Sequence, residues 1–205
     1  KIPFASPCKE AAKLEWDKTF TRNLMKKYEI GGCPRFGNFT DAAKAAKFID
    51  ELKGEVAVKP AGLTGGKGVK VVGFQLKDAK EAKEYAKEVL AENIGKLGSV
   101  VIEEKLIGEE FTLQAFVDGK NVFGMPMVQD HKRLGENDVG VNTGGMGSYS
   151  IGKVLPFFDS IVYAKGLQIM RETVAAFEKE TGKKFKGVLY GQFMNTVKGP
   201  KVIEF

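Results

Sequence analysis

The chain has little of what usually anchors metal-cluster or disulfide chemistry: its 205 residues include two cysteines, one histidine and one tryptophan. Cys8 and Cys33 suit no zinc-module spacing, and a chain long enough to bury a sizeable core needs no disulfide, so a reducing cytoplasm is the expected compartment. No apolar run is long enough for a signal-peptide core or a membrane span. Repeats and low-complexity tracts are also missing. The formal charge of +6 is not gathered into a basic run with interleaved aromatics. Acids and bases alternate from Lys77 to Glu92, as on a solvated helix face. The surplus therefore suits a phosphate-rich small molecule, and neither a nucleic-acid nor a membrane partner is expected. The sequence opens on Lys1-Ile2-Pro3 and stops at Glu204-Phe205 inside a predicted strand, which reads as a piece of a longer polypeptide. Monomer and homodimer both stay open.

What is present is an α+β pattern. Leu14, Phe20, Leu24 and Met25 recur near helical spacing between Ala11 and Tyr28, with a break at Glu15-Trp16 and a restart capped by Asp17. Thr40-Asp41 opens a second helix reaching about Leu52, with Ala42, Ala45, Ala46 and Ile49 as its buried stripe. Glu55 to Lys59 and Val69 to Phe74 read as the strands of a hairpin, followed by an amphipathic helix from Asp78 to about Asn93 and a strand from Ser99 to Glu104. Phe111 to Val117 and Val122 to Val128 are strands joined through Asp118-Gly119, a two-residue hairpin signal. The segment from Gln129 to Gly152 reads as a long structureless loop, which at that length is usually functional. A helix from about Phe157 to Glu180 and strands over Gly187 to Thr196 and Lys201 to Phe205 complete the chain.

Gly62-Leu63-Thr64-Gly65-Gly66-Lys67-Gly68 has the glycine density that lets backbone N–H groups approach an anion. It is no Walker A motif: too few residues precede its Gly-Lys pair, Gly68 stands where a Ser or Thr is needed, and a strand follows instead of a helix. A flexible flap between two strands fits, able to close over a triphosphate. Lys59, ending an apolar strand, would lie under that flap and meet a phosphate oxygen, unless the segment is an ordinary turn beside a snorkelling lysine.

Carboxylates gather in Val100-Val101-Ile102-Glu103-Glu104-Lys105-Leu106 and Gly108-Glu109-Glu110-Phe111. Such a hinge suits adenine: its backbone can pair with the base edge, Glu103 can accept from the exocyclic amine, and Glu110 from ribose hydroxyls. The bland alternative is that these acids solvate a strand end. Glu204 stands in the apolar strand Lys201-Val202-Ile203-Glu204-Phe205, where a buried carboxylate needs a cation or a hydrogen-bond set. Magnesium would supply the cation with Gln192 adding a neutral oxygen; alternatively Glu204 faces solvent from an edge strand.

Taken in order, Asp17-Lys18-Thr19-Phe20-Thr21-Arg22, the Val58-to-Val69 flap, Glu103 to Phe111 and Lys201 to Phe205 resemble the ATP-grasp superfamily, in which two α+β lobes clasp ATP. Gln129-Asp130-His131-Lys132-Arg133, then Asp138, Gly140 and Asn142-Thr143-Gly144-Gly145-Met146-Gly147-Ser148-Tyr149-Ser150, resemble the signature of the phosphoribosylamine-glycine ligase family over essentially the whole chain. Gly140-Val141-Asn142 replaces that family's usual Gly-Pro-Asn. The family's amino-terminal domain and the asparagine and arginine loop after its Ile-Glu-Phe are absent, so turnover by this chain alone is not expected.

The resemblance implies a smaller lobe at 34–101 and a larger one at 1–33 with 102–205. It implies a ligase of de novo purine biosynthesis joining glycine to 5-phosphoribosylamine through glycyl phosphate, with ATP as co-substrate and Mg2+ or Mn2+. Lys18 and Lys59 would be the catalytic phosphate-binding pair. Gly62, Gly65, Gly66, Lys67 and Gly68 would cover the nucleotide, Glu103, Glu104, Leu106 and Glu110 would hold base and ribose, and Glu204 with Gln192 the metal. Asp130, His131, Lys132, Arg133, Asn142, Thr143, Gly144, Gly145 and Met146 would face the other substrates. Lys18 stands in the first turn of its predicted helix, where the dipole disfavours a cation, so it is either functional or simply solvated. His131, as a lone histidine, is packed, surface or catalytic. A different ATP-grasp carboxylate-amine ligase would share all but the Gln129-to-Ser150 segment; a nucleotide-binding module without turnover is the remaining alternative.

Overall fold

The computed structural model describes residues 6–65, 68–136 and 139–205, and the side chains of Val141 and Asn142 are not described. Four of its helices begin at an aspartate whose side chain accepts from backbone N–H groups that the first turn leaves unpaired. Asp17 accepts from Phe20 at the start of α2 (Lys18–Lys27), after the single turn of α1 (Lys13–Trp16). Asp41 does so for α3 (Ala42–Glu51), Asp78 for α4 (Ala79–Ala91) and Asp159 for α5 (Ser160–Thr181). Helix α5 ends on Gly182 at φ 67°, the left-handed conformation glycine adopts without a Cβ penalty.

Two four-stranded sheets carry these helices. The first contains β1 (Phe36–Phe39), β2 (Val56–Pro60), β3 (Lys70–Val71) and β4 (Val100–Glu104), antiparallel in the order β1-β4-β2-β3. It packs with α3 and α4 around Ala45, Ile49, Val56, Val58, Tyr85, Val89 and Ile102. The second contains β5 (Glu109–Val117), β6 (Val122–Gly124), β11 (Gly187–Thr196) and β12 (Gly199–Glu204), antiparallel in the order β12-β11-β5-β6. A separate core forms there, where Leu24 and Met25 of α2 join Phe111, Met170, Phe177, Phe193 and Phe205.

Several expectations change. Strand β1 was not anticipated. The strand expected over Val69 to Phe74 shrinks to two residues because the chain turns at Gly73 and returns through a Val72–Leu76 bridge. The Asp118-Gly119 hairpin is a four-residue loop: Val117 pairs with Val122, and the Asp118 carboxylate accepts from the backbone of Lys120 and Asn121 and from the Asn121 amide. The segment expected to be structureless is an arm of two short ribbons. One pairs β7 (Gln129–Asp130) with β10 (Ser148–Tyr149), the other β8 (Arg133–Gly135) with β9 (Val139–Asn142). Among the described residues no helix is long and apolar enough to cross a membrane.

Candidate functional site

A buried cluster of charge joins the two sheets. Glu103 on β4 is 2% exposed. It receives Arg22 Nε at 2.6 Å and the second Arg22 nitrogen at 3.0 Å on its two oxygens, and Lys59 Nζ at 2.8 Å. Burial alone would raise the carboxyl pKa, but Arg22 and Lys59 lower it from 4.5 to about 2. The cations also reach across to β12. Arg22 donates to the carbonyls of Val202 at 3.0 Å and Ile203 at 2.8 Å, and Lys59 donates to that of Ile203 at 2.8 Å. Glu103 was expected to accept from adenine, and here its oxygens meet Arg22 and Lys59. Three donors already occupy its oxygens, so the carboxylate anchors two cations rather than standing open to a base.

Lys18 lies beside this cluster, its ammonium 3.4 Å from the Gly62 carbonyl at the root of the flap. Burial lowers its pKa, Glu204 opposes that shift, and Lys59 adds to it. A lysine that is partly desolvated near a second cation has an incentive to meet an anion. Lys18, Arg22, Ile203 and Glu204 line one small depression with Leu14, Glu15, Thr21 and Phe205. Lys18, Lys59, Glu103 and Glu204 therefore converge from α2, β2, β4 and β12.

The flap is held at both ends. A Cβ on Gly62 would collide with the Gly95 carbonyl, so only glycine allows that approach, and Gly65 takes φ +62°. The Gly68 N–H donates to Thr64 Oγ1 at 3.0 Å, and Tyr85 Oη donates to the Gly68 carbonyl at 2.7 Å. Gly66 and Lys67 lie outside the described residues. At the hinge, Glu104 accepts from Lys201 Nζ at 2.6 Å and from the Arg35 N–H at 3.0 Å, while Leu106 is half-buried in the β4–β5 connection.

Glu110 and Gln192 stand together. Gln192 Nε2 donates to Glu110 at 3.0 Å, and Gln192 Oε1 accepts from Thr112 at 2.7 Å and Tyr190 at 2.6 Å. That oxygen is already used twice, which counts against its expected service to a metal. Among the described residues no three His, Cys, Asp or Glu side chains gather as a ready metal site. Magnesium commonly takes one or two carboxylates and completes its shell with phosphate oxygens and water. A half-buried Glu204 beside Lys18 fits an ion that arrives with a polyphosphate, not a preformed cage.

The arm presents its polar groups differently. His131 is exposed and stacks on Tyr149 with ring centres 5.9 Å apart. Lys132 approaches Glu110 at 3.8 Å, and its carbonyl accepts from the backbone and the hydroxyl of Thr143. Arg133 lies 4.2 Å over the Phe74 ring, which belongs to the turn after β3. Asp130 is half-buried in β7, while Gly144, Gly145 and Met146 are exposed. Asn142 belongs to β9. The residues not singled out from sequence are Arg22, Tyr85, Thr112 and Tyr190. Only Arg22 left a local trace: a cation beside Thr21 and three residues before Met25, both of which are buried.

Comparison with known proteins agrees with this geometry. The family model described as "Phosphoribosylglycinamide synthetase, ATP-grasp (A) domain" matches residues 16–205. Proteins named phosphoribosylamine–glycine ligase from Methanopyrus kandleri and Methanosarcina acetivorans are 56% and 57% identical over all 205 residues. The chain spans 46% and 45% of their lengths, less than half. A crystal structure of phosphoribosylamine–glycine ligase from Thermotoga maritima superposes with a TM-score of 0.86 at 34% identity, covering 97% of this chain and 49% of that one. An ATP complex of D-alanine–D-alanine ligase from Bacillus anthracis shares the fold alone, at TM-score 0.68 and 18% identity over 99% of this chain and 58% of that one. The two-lobed α+β architecture is thus the ATP-grasp fold, and the chain belongs to the phosphoribosylglycinamide synthetase family through its ATP-grasp (A) domain.

Proposed function

We propose that this chain binds ATP with Mg2+ or Mn2+ between its two sheets and forms the catalytic core of a cytoplasmic ligase joining glycine to 5-phosphoribosylamine. The smaller lobe is 34–101, and the larger is 1–33 with 102–205. Glycine's carboxylate attacks the γ-phosphate to give glycyl phosphate and ADP; the phosphoribosylamine nitrogen then displaces phosphate, giving glycinamide ribonucleotide. Positioning and charge neutralisation carry most of such phosphoryl transfer.

Lys18 and Lys59 bind phosphate oxygens, Lys59 exchanging its bond to the Ile203 carbonyl for the nucleotide. Gly62 to Gly68 cover the triphosphate and exclude water, which would otherwise hydrolyse the acyl phosphate. The backbone around Glu104 and Leu106 meets the base, and Glu110 the ribose. Glu204 would hold the metal, which would supply charge neutralisation for the phosphates. Asp130, His131, Lys132, Arg133 and the segment Asn142 to Met146 face glycine and phosphoribosylamine.

The observation that carries this reading is the meeting of Lys18 and Glu204 at one depression beside a glycine flap, with Lys59 bonded to the Ile203 carbonyl on its wall. The family names support the choice of substrates. Titration of ATP with and without Mg2+, beside a phosphate-release assay, tests it. Metal-dependent ATP binding by the chain is expected. In a polypeptide carrying the remaining length of its relatives, phosphate release should require both glycine and phosphoribosylamine. Release that needs neither, or needs a different carboxylate, would reject the substrate assignment.

A further inference from the structure

A bulge in β12 decides where Glu204 points. Phe193 of β11 pairs with Val202 and Gln192 with Glu204, so Ile203 is an extra residue without a partner across the ladder. Side chains alternate between the faces of a strand. Val202 is buried in the larger core beside Phe193. An uninterrupted strand would return Glu204, two residues on, to that same apolar face. The extra residue turns it instead to the face of Gln192, whose side chain bonds Thr112 and Glu110.

Bulged residues leave backbone groups outside the ladder, and here those groups have a dedicated partner. One Arg22 nitrogen donates to the carbonyls of both Val202 and Ile203, at 3.0 and 2.8 Å. Glu103 grips the same guanidinium through Nε and that nitrogen, so the fork cannot rotate away. Lys59 shares the Ile203 carbonyl, but it is assigned above to phosphate, and once it leaves, Arg22 still holds the bulge. Arg22 is itself 2% exposed and reaches a ligand only through the backbone it holds.

We propose that Arg22 is a positioning residue: by bonding the carbonyls of Val202 and Ile203 it maintains the bulge that turns Glu204 out of the apolar core and into the cleft. This rests on the reading of Glu204 as the acid that holds the metal. It adds a separate claim, that the metal site is set by a side chain on another element that never touches the ion.

Mn2+ and ATP are the probes. ATP affinity is titrated with and without Mn2+, and bound Mn2+ is followed by its paramagnetic resonance, for the unaltered chain and for Glu204→Gln, Arg22→Lys and Arg22→Met. A lysine keeps the charge but offers a point contact instead of a fork. Methionine leaves Lys59 and Glu103 as a neutral pair. Thermal unfolding checks that each variant folds. All three variants are expected to lose at least roughly tenfold of the Mn2+-dependent gain in ATP affinity. Metal-free ATP affinity of the two Arg22 variants should stay within about threefold, well under 1.4 kcal/mol. If Glu204→Gln loses the gain and both Arg22 variants keep it, the positioning role is overturned while the nucleotide site stands. A Glu204→Gln variant that keeps the gain removes the metal assignment, and the Arg22 proposal with it. Arg22 variants that fail to fold, or lose metal-free ATP binding equally, would make Arg22 a strut of the fold and overturn the proposal as well.

Discussion

The buried cluster around Glu103 and the exposed arm from Gln129 to Gly152 both collect polar side chains, but on opposite physical terms. In the cluster, Arg22, Lys59 and Glu103 are each at most 3% exposed, and a charge taken that far from water persists only with a partner. In the arm, His131, Gly144, Gly145 and Met146 are exposed and the ribbons are tied mainly by backbone bonds. Charges that bind each other build a frame; groups left to solvent stay available to ligands. Stability and substrate selectivity should therefore separate between the two regions, and mutation can test that separation.

The largest effect should come from Glu103→Ala. It leaves two buried cations facing each other, and removing one partner of a buried ion pair typically costs about 3–5 kcal/mol. Denaturant unfolding measures this, and a loss under about 1 kcal/mol would show that the cluster is hydrated rather than a dry frame. Acid should approach the same limit. With the carboxyl pKa lowered from 4.5 to about 2, the folded state binds this proton less readily than the unfolded chain. The contribution is complete above pH 4.5 and is lost as pH falls from there towards 2. Glu103→Gln should flatten that part of the stability profile.

Lys59→Ala comes next. It leaves Arg22 and Glu103 as a neutral pair, so the fold should survive, while ATP affinity falls at least roughly tenfold, about 1.4 kcal/mol. Calorimetric titration would read this, and an unchanged affinity removes Lys59 from the nucleotide site.

This contrast also explains what the sequence made legible. Asp17, Asp41 and Asp78 announced their helices because a cap is a local bond, and Lys18, Lys59 and Glu204 stood out as charges in unfavourable local settings. Strand β1 escaped notice because Phe36 to Phe39 is short, contains a glycine and becomes a strand by pairing with β4, more than sixty residues away. The arm's ribbons are two to four residues long, too short for alternation to register. Glu103 looked available to a ligand because both of its cations come from distant segments. The bulge at Ile203 could not be read at all, since an extra residue is defined only against a partner strand.

The smallest effects test the arm and the flap. Tyr85→Phe deletes one bond, from Oη to the Gly68 carbonyl, and should lower stability by about 1 kcal/mol while raising the ATP concentration needed for half-saturation. His131→Ala should change stability by less than about 0.5 kcal/mol, because the ring is exposed and packs on Tyr149 from the solvent side. If the arm serves ligands, this variant should keep ATP binding and lose glycine- and phosphoribosylamine-dependent phosphate release in the longer polypeptide. A large loss of stability instead would show that the His131–Tyr149 stack belongs to the frame, and the division between a self-paired interior and a ligand-facing arm would fail at the position where it is easiest to test.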